Sequence, residues 1–170
     1  LATQIFNSRE KVLEEMEKQS SFPAQEQLDQ FSQALAGVFR LKADEVAILE
    51  LLPPGRILRF VLPEKLRTTG TIPLSSSSAL AARTARLRRT GIVNNFSSLP
   101  HASVFEGVPL GRGQEESIHK IMSAPIFLEN RVIGVVQFCR KGITPMDAGP
   151  DFTALDLDLL KNLNDLLARF

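Results

Sequence analysis

The sequence predicts an α+β domain with helices on both faces of a central sheet, and three observations carry that prediction. First, Ser117 to Lys141 reads as two strands joined by a tight polar turn: Ile118 to Leu128, then Glu129-Asn130-Arg131, then Val132 to Arg140. Asn130 is the turn residue best able to take positive φ. Second, the later strand is apolar at nearly every position (Val132, Ile133, Val135, Val136, Phe138). A strand of that kind needs cover on both faces, so it is expected to be central. Third, helical apolar stripes stand on either side of the strand-forming region, at Leu28, Phe31, Leu35, Val38 and Phe39 and at Leu159, Leu160, Leu163, Leu166, Leu167 and Phe170.

Composition narrows the function classes. At 170 residues with 44% apolar content the chain forms one domain with a real core. Twenty basic and 19 acidic side chains leave a net charge of +1, so no global field favours nucleic acid or a membrane surface. One cysteine cannot make an internal disulfide or a cysteine-based zinc site, which fits a reducing cytoplasm. No apolar run approaches the roughly 20 residues needed to cross a bilayer. The chain begins at Leu1 rather than Met, and the expectation is a fragment of something longer. Its 11 Phe come with no Trp or Tyr, so an aromatic contact to a ligand would be apolar stacking.

Each element has its own warrant. Thr3 to Gln19 reads as a helix with Ile5, Arg9, Val12 and Met16 on one narrow stripe and Phe6 and Leu13 beside it. Such a stripe suits an intermolecular helix–helix seam, or a helix lying on its own sheet. Residues 1–21 are therefore expected to be a connecting and dimerising helix, with the domain proper at 22–170. Ser20-Ser21-Phe22-Pro23 breaks the pattern, and Pro23 suits the first turn of the next helix, which runs to Arg40. Asp44 to Leu52 is a strand apolar on both faces. Pro53-Pro54-Gly55-Arg56 is a turn, Ile57 to Leu62 the return strand with Arg59 exposed, and Thr68 to Leu74 a short third strand. Ser75 to Ser78 are placed to cap a helix through Leu80, Thr84 and Leu87 that stops at Gly91. Arg83, Arg86, Arg88 and Arg89 on that helix suit its C-terminal dipole, with an anion- or partner-binding stripe as the alternative. Ile92-Val93 is a fourth strand. With the two strands of the hairpin this makes about six.

Asn94 to Glu116 has no periodicity, and a loop this long in a compact domain is expected to act as a lid. Gly142 to Asp151 is a second loop, rich in Gly and Pro. Thr153 with Asp156 three residues on approximates a capping box at the start of the last helix, and Phe152 is placed to staple onto Leu157.

The order of elements from about Phe22 to Phe170 resembles the GAF domain family. Three stretches carry the resemblance: AARTARLRRTGIVNNF, SAPIFLENRVIGVVQF and FTALDLDLLKNLNDLLARF. The resemblance implies a GAF-like fold with a central antiparallel sheet and a small-molecule pocket between the sheet and the long loop. It also implies N- and C-terminal helices packed together across a homodimer. Against the family's cyclic-nucleotide signature of Asn-Lys, Phe and Asp-Glu, the matching positions read Arg140, Lys141, Phe152, Asp156 and Leu157. The retained Lys141 and Asp156 are expected to form a structural ion pair between the last strand and the last helix. Bilin-binding relatives need a cysteine near the lid, which this chain lacks. Haem would need an axial ligand from His101 or His119.

Candidate chemistry is sparse. If the hairpin keeps an even loop, Cys139 shares a face with Lys120, Met122 and Ala124 and His119 points to the other; a bulge at Pro125 would reverse that. Cys139 is expected to be a buried small hydrophobe, and the relatives that reduce free methionine sulfoxide use several cysteines. No metal, cofactor or catalytic set is expected, and the domain reads as non-enzymatic. Ligand contact is expected from Ser76 and Ser77 at a helix N-terminus, from Asn94, Phe96, His101 and Phe105 in the lid, and from His119. The expectation is a cytoplasmic sensory domain of a bacterial-type signalling protein, binding a small molecule under residues 94–116 and dimerising through its terminal helices, with no direct contact to nucleic acid or membrane. The alternatives are a dimerisation scaffold whose pocket is filled by its own side chains, and a small enzyme using Cys139.

Overall fold

The structure is a computed structural model and describes residues 25–53, 55–68, 70–99 and 116–167, with side chains on the last helix described as far as Asn162. The expected helix over Thr3–Gln19, the 1–21 boundary, and His101 and Phe105 lie outside the described residues.

Three helices and six strands form the described part: α1 Gln25–Phe39, β1 Val46–Leu52, β2 Ile57–Leu62, β3 Thr71–Pro73, α2 Leu80–Leu87, β4 Gly91–Val93, β5 Ser117–Leu128, β6 Arg131–Gly142 and α3 Ala154–Leu167. The sheet order is β3-β2-β1-β6-β5-β4 with every neighbour antiparallel. β6 lies between β1 and β5, in the interior position that its apolar run suggests, covered on both faces.

Side-chain alternation sorts the core into two layers. On one face Phe39 and Leu35 of α1 and Leu160 of α3 pack with Val46, Ile48, Met122, Ala124, Ile126, Val136 and Phe138. On the other, Ala81 and Ala85 of α2 pack with Ala47, Leu49, Leu58, Phe60, Ile121, Val135 and Cys139. The alanine face of α2 lets that helix approach the strands closely.

Two register shifts decide which residues face which layer. Ile126 stands opposite Gly134 but Phe127 opposite Val132, so Ile133 is an extra residue just past Pro125. The bulge reverses the parity of an unbroken hairpin. Cys139 therefore faces Ile121 and the α2 layer, while Met122 and Ala124 join the other. A second shift falls where Ile118 faces Lys141 and Lys120 faces Arg140, leaving His119 as the extra residue. The tip carries two left-handed residues, Glu129 at φ 51° and Asn130 at φ 63°, as a two-residue hairpin turn of this hand needs.

Local chemistry corrects several boundaries. α2 starts at Leu80 with Ala79 as N-cap and no side-chain cap, so the serines do not cap it; Ser76 Oγ accepts from Ala79 N at 3.2 Å instead. It ends before Arg88, which takes the left-handed position at φ 54° that was expected of Gly91. The first hairpin turn closes one residue early, with Gly55 N donating to Leu52 O at 2.7 Å. Arg59 is not exposed: it pairs with Glu50, directly across from it on β1, and the two side chains retain only 12% and 7% exposure. The capping box on α3 forms, with Thr153 N donating to Asp156 Oδ2 at 2.8 Å and Asp156 N to Thr153 Oγ1 at 3.3 Å. No helix of the described residues is long and apolar enough to cross a membrane.

Candidate functional site

Residues Asn94 to Ser98, where the long loop leaves β4, are tied to three different parts of the domain. Asn94 forms a two-pronged bracket: its Oδ1 accepts from Phe152 N at 2.9 Å and its Nδ2 donates to Phe152 O at 3.1 Å. Phe152 immediately precedes Thr153, whose box starts α3. A side-chain amide holds an acceptor and a donor side by side, so it can satisfy a backbone N–H and C=O of the same residue at once. Phe96 is 7% exposed and belongs to the α2-side core with Ile118 and Ile121. Ser97 Oγ lies 2.8 Å from His119 Nδ1, while His119 Nε2 lies 2.9 Å from Gly142 O. The Gly142 carbonyl can only accept, so in the neutral ring Nε2 carries the proton and Nδ1 accepts from the Ser97 hydroxyl. The bulge at position 119 is what frees this side chain to reach across the ladder.

Gly142 has its own constraint. A Cβ there would lie 2.6 Å from Ala148 N and 2.9 Å from Asp147 C, so the 142–151 loop can close over it only because the residue is glycine. That loop is ordered by Thr144 and Asp147, with Thr144 Oγ1 donating to Asp147 Oδ2 at 2.8 Å. It is fastened to β5 by Lys120, whose Nζ donates to Gly149 O and sits 2.9 Å from Asp151 Oδ1. The root of the long loop, the end of β6 and the start of α3 thus form one connected block.

The α2 layer also holds a directed hydrogen-bond chain. Thr84 Oγ1 donates to Leu80 O at 2.9 Å, so it accepts from Ser123 Oγ at 2.7 Å, and Ser123 Oγ in turn accepts from Gln137 Nε2 at 3.1 Å. All three residues are buried. At the open end of β6, Glu45 is buried with Oε1 accepting from Lys42 N at 2.8 Å and Oε2 from Lys141 N at 2.6 Å. Two backbone donors satisfy a carboxylate that would otherwise be costly to bury.

The expected partnership of Lys141 with Asp156 is not what the described residues form. Alternation along β6 puts Arg140 with Phe39 and Phe152, its guanidinium 4.6 Å from the Phe152 ring centroid, and so turns Lys141 to the opposite face from α3. Lys141 is fully buried with its Nζ 4.0 Å from Asp44 Oδ2, and Asp156 serves the α3 cap. Of the expected ligand contacts, Asn94, Phe96 and His119 come together at the loop root, each engaged with protein groups. Ser76 is occupied by Ala79 N and by Ser78 Oγ at 3.5 Å, and Ser77 is exposed. Ser97 and Gly142 were missed; two adjacent serines in a polar loop carry no pattern that singles one out. Cys139 is outside any disulfide and fully buried in the α2 layer. Among the described residues no three His, Cys, Asp or Glu side chains gather into a metal-ligand set.

The family model for the GAF domain matches residues 24–169. The chain belongs to the GAF domain family. Among solved structures, the GAF domain of an Acinetobacter phosphoenolpyruvate-protein phosphotransferase is 15% identical, with a TM-score of 0.63 over 96% of this chain and 90% of that one. A methyl-accepting chemotaxis protein fragment is 17% identical, with a TM-score of 0.63 over 85% of this chain and 86% of that one. A type II free methionine-R-sulfoxide reductase from Thermoplasma acidophilum is 16% identical, with a TM-score of 0.60 over 85% of this chain and 89% of that one. No curated protein matches the chain significantly. Identities this low establish the shared fold alone. That fold occurs in a chemotaxis protein and also in a reductase, and the second corrects the reading of the domain as non-enzymatic, since a GAF fold can serve as an enzyme.

Proposed function

We propose that this GAF domain is a cytoplasmic sensory module in which residues 94–116 cover a small-molecule site on the α2 face of the sheet, and in which occupancy of that site is passed to α3. The observation that carries the proposal is the Asn94 bracket on Phe152. Any ligand that changes the loop's position must act on a residue hydrogen-bonded to the peptide group that precedes the last helix. Ser97–His119–Gly142 gives a second tie from the same root to the end of β6. The first tie makes a short mechanical path from loop to helix and the second anchors the root to the sheet, and a ligand shifts such an element by its differential affinity for the two loop positions. Ser76, Ser77, His101 and Phe105 remain the candidate ligand contacts. Asn94, Phe96 and His119 act as positioning residues at the root.

α3 is suited to hand the change to a second copy. Leu155 is 80% exposed and Leu159 39%, four residues apart and so on one stripe. We propose that this stripe pairs with the terminal helices of a partner subunit. Thermal-shift screening of nucleotides, amino acids and small acids tests the sensory half: a binding compound raises the melting temperature, and this rise survives Leu155→Glu. If no compound does so while the chain sediments as a dimer that Leu155→Glu dissolves, the domain is a scaffold with a self-filled pocket.

A further inference from the structure

We infer that the corner where α2 meets the β5–β6 turn is a docking surface for a short acidic segment of a partner protein. Arg83, Arg86, Arg88 and Arg89 are exposed on α2 and just past it, and Arg131 is exposed beside the turn residue Asn130. Among the described residues none of these five guanidinium groups is ion-paired. Arg86 donates to Leu74 O and to Ser76 O, the latter at 2.8 Å, and Arg88 donates to Asn130 O at 2.8 Å and Asn130 Oδ1 at 3.0 Å. These acceptors are neutral, so they fix the guanidinium groups in place and leave the charge uncancelled. Glu129 is the only acid in the turn, so the corner carries four net positive charges while the whole chain carries +1.

Geometry favours a rigid receptor. Three of the four non-glycine residues with positive φ among those described, Arg88, Glu129 and Asn130, meet at this contact. Arg88 holds the position a glycine would take more easily, and its guanidinium lies 5.2 Å from the centroid of the Phe127 ring. Arginine presented in a fixed orientation is suited to forked contact with carboxylates. Leu87, between Arg86 and Arg88 in the chain, is 52% exposed, which gives a partner one apolar anchor beside the charges. The surface fits a short segment rather than a nucleic acid. An eight-residue helix is about 12 Å long, and the remainder of the chain is net negative, which repels a long polyanion extending beyond the corner.

The test is fluorescence anisotropy of the whole chain with a labelled amphipathic peptide of Glu and Leu, about a dozen residues long, against a single-stranded oligonucleotide of equal charge. The peptide is expected to bind at low salt more tightly than the oligonucleotide. Arg83→Glu combined with Arg89→Glu, neither side chain making a hydrogen bond among the described residues, is expected to weaken peptide binding by roughly tenfold or more with an unchanged melting temperature. Leu87→Ser is expected to weaken the peptide and leave the oligonucleotide unaffected. No peptide binding at low salt, equal binding by the charge-reversed chain, or tighter binding of the oligonucleotide each overturns the inference.

Discussion

The face of the sheet under α1 and α3 is packed at its centre by Phe138, Ile48, Val136, Met122 and Ile126, with the Phe39 ring tilted 33° against that of Phe138 at 4.9 Å between centroids. The face under α2 mixes small groups, Ala47, Ala81, Ala85 and Cys139, with Leu49, Leu58 and Phe60, and carries the Thr84–Ser123–Gln137 chain among them. On the first face the buried polar groups are charged, Lys120 and Glu50 with Arg59. On the second, neutral hydroxyl and amide groups are buried among the apolar ones with fixed partners. The difference is a division of labour. The first layer draws mainly on non-directional packing of large side chains, and the second adds hydrogen bonds that tie α2 to the strands.

If that division holds, substitutions on the two faces should differ in size and in kind. Phe138→Ala removes a fully buried ring from the first face and is expected to cost about 3–5 kcal/mol in urea unfolding. Gly142→Ala is expected to cost about 1–3 kcal/mol, because its methyl must displace backbone of the 142–151 loop. Thr84→Val leaves the Ser123 hydroxyl without its acceptor and is expected to cost about 1–3 kcal/mol. Removing both hydroxyls, with Thr84→Val and Ser123→Ala together, is expected to cost less than the sum of the single changes, as a double-mutant cycle would show. Asp156→Ala, which removes the α3 cap, is expected to cost about 1 kcal/mol. A cycle between Lys141 and Asp156 is expected to show no coupling, because the two lie on opposite faces; a coupling of about 1 kcal/mol would restore the pair that the sequence suggests.

Much of the first face was legible in the residues, because burial writes itself as period. The stripe at Leu28, Leu35 and Phe39, the unbroken run in β6 and the Thr153–Asp156 box each constrain their own neighbourhood. The second face was less legible. The side on which Cys139 falls turns on one extra residue at Ile133; Pro125, which lacks an N–H, pointed to a bulge there, but the hydrophobic pattern alone does not say that one forms. Asn94 was singled out for its place in a loop, but its partner is a peptide group 58 residues away, with nothing local to announce it. Arg88 was assigned to a helix dipole, whereas its side chain is committed to Asn130 and Phe127 on the neighbouring hairpin.

Signalling from the loop to α3 requires that the loop root be mechanically joined to the last helix. Amide hydrogen exchange at Phe152 reports on that joint directly, because the Phe152 N–H donates to Asn94 Oδ1. Asn94→Ala is expected to speed exchange at Phe152 and through the first turn of α3, while β6 amides stay as protected as before. Unchanged exchange at Phe152 in that variant would show that the bracket carries no force between loop and helix.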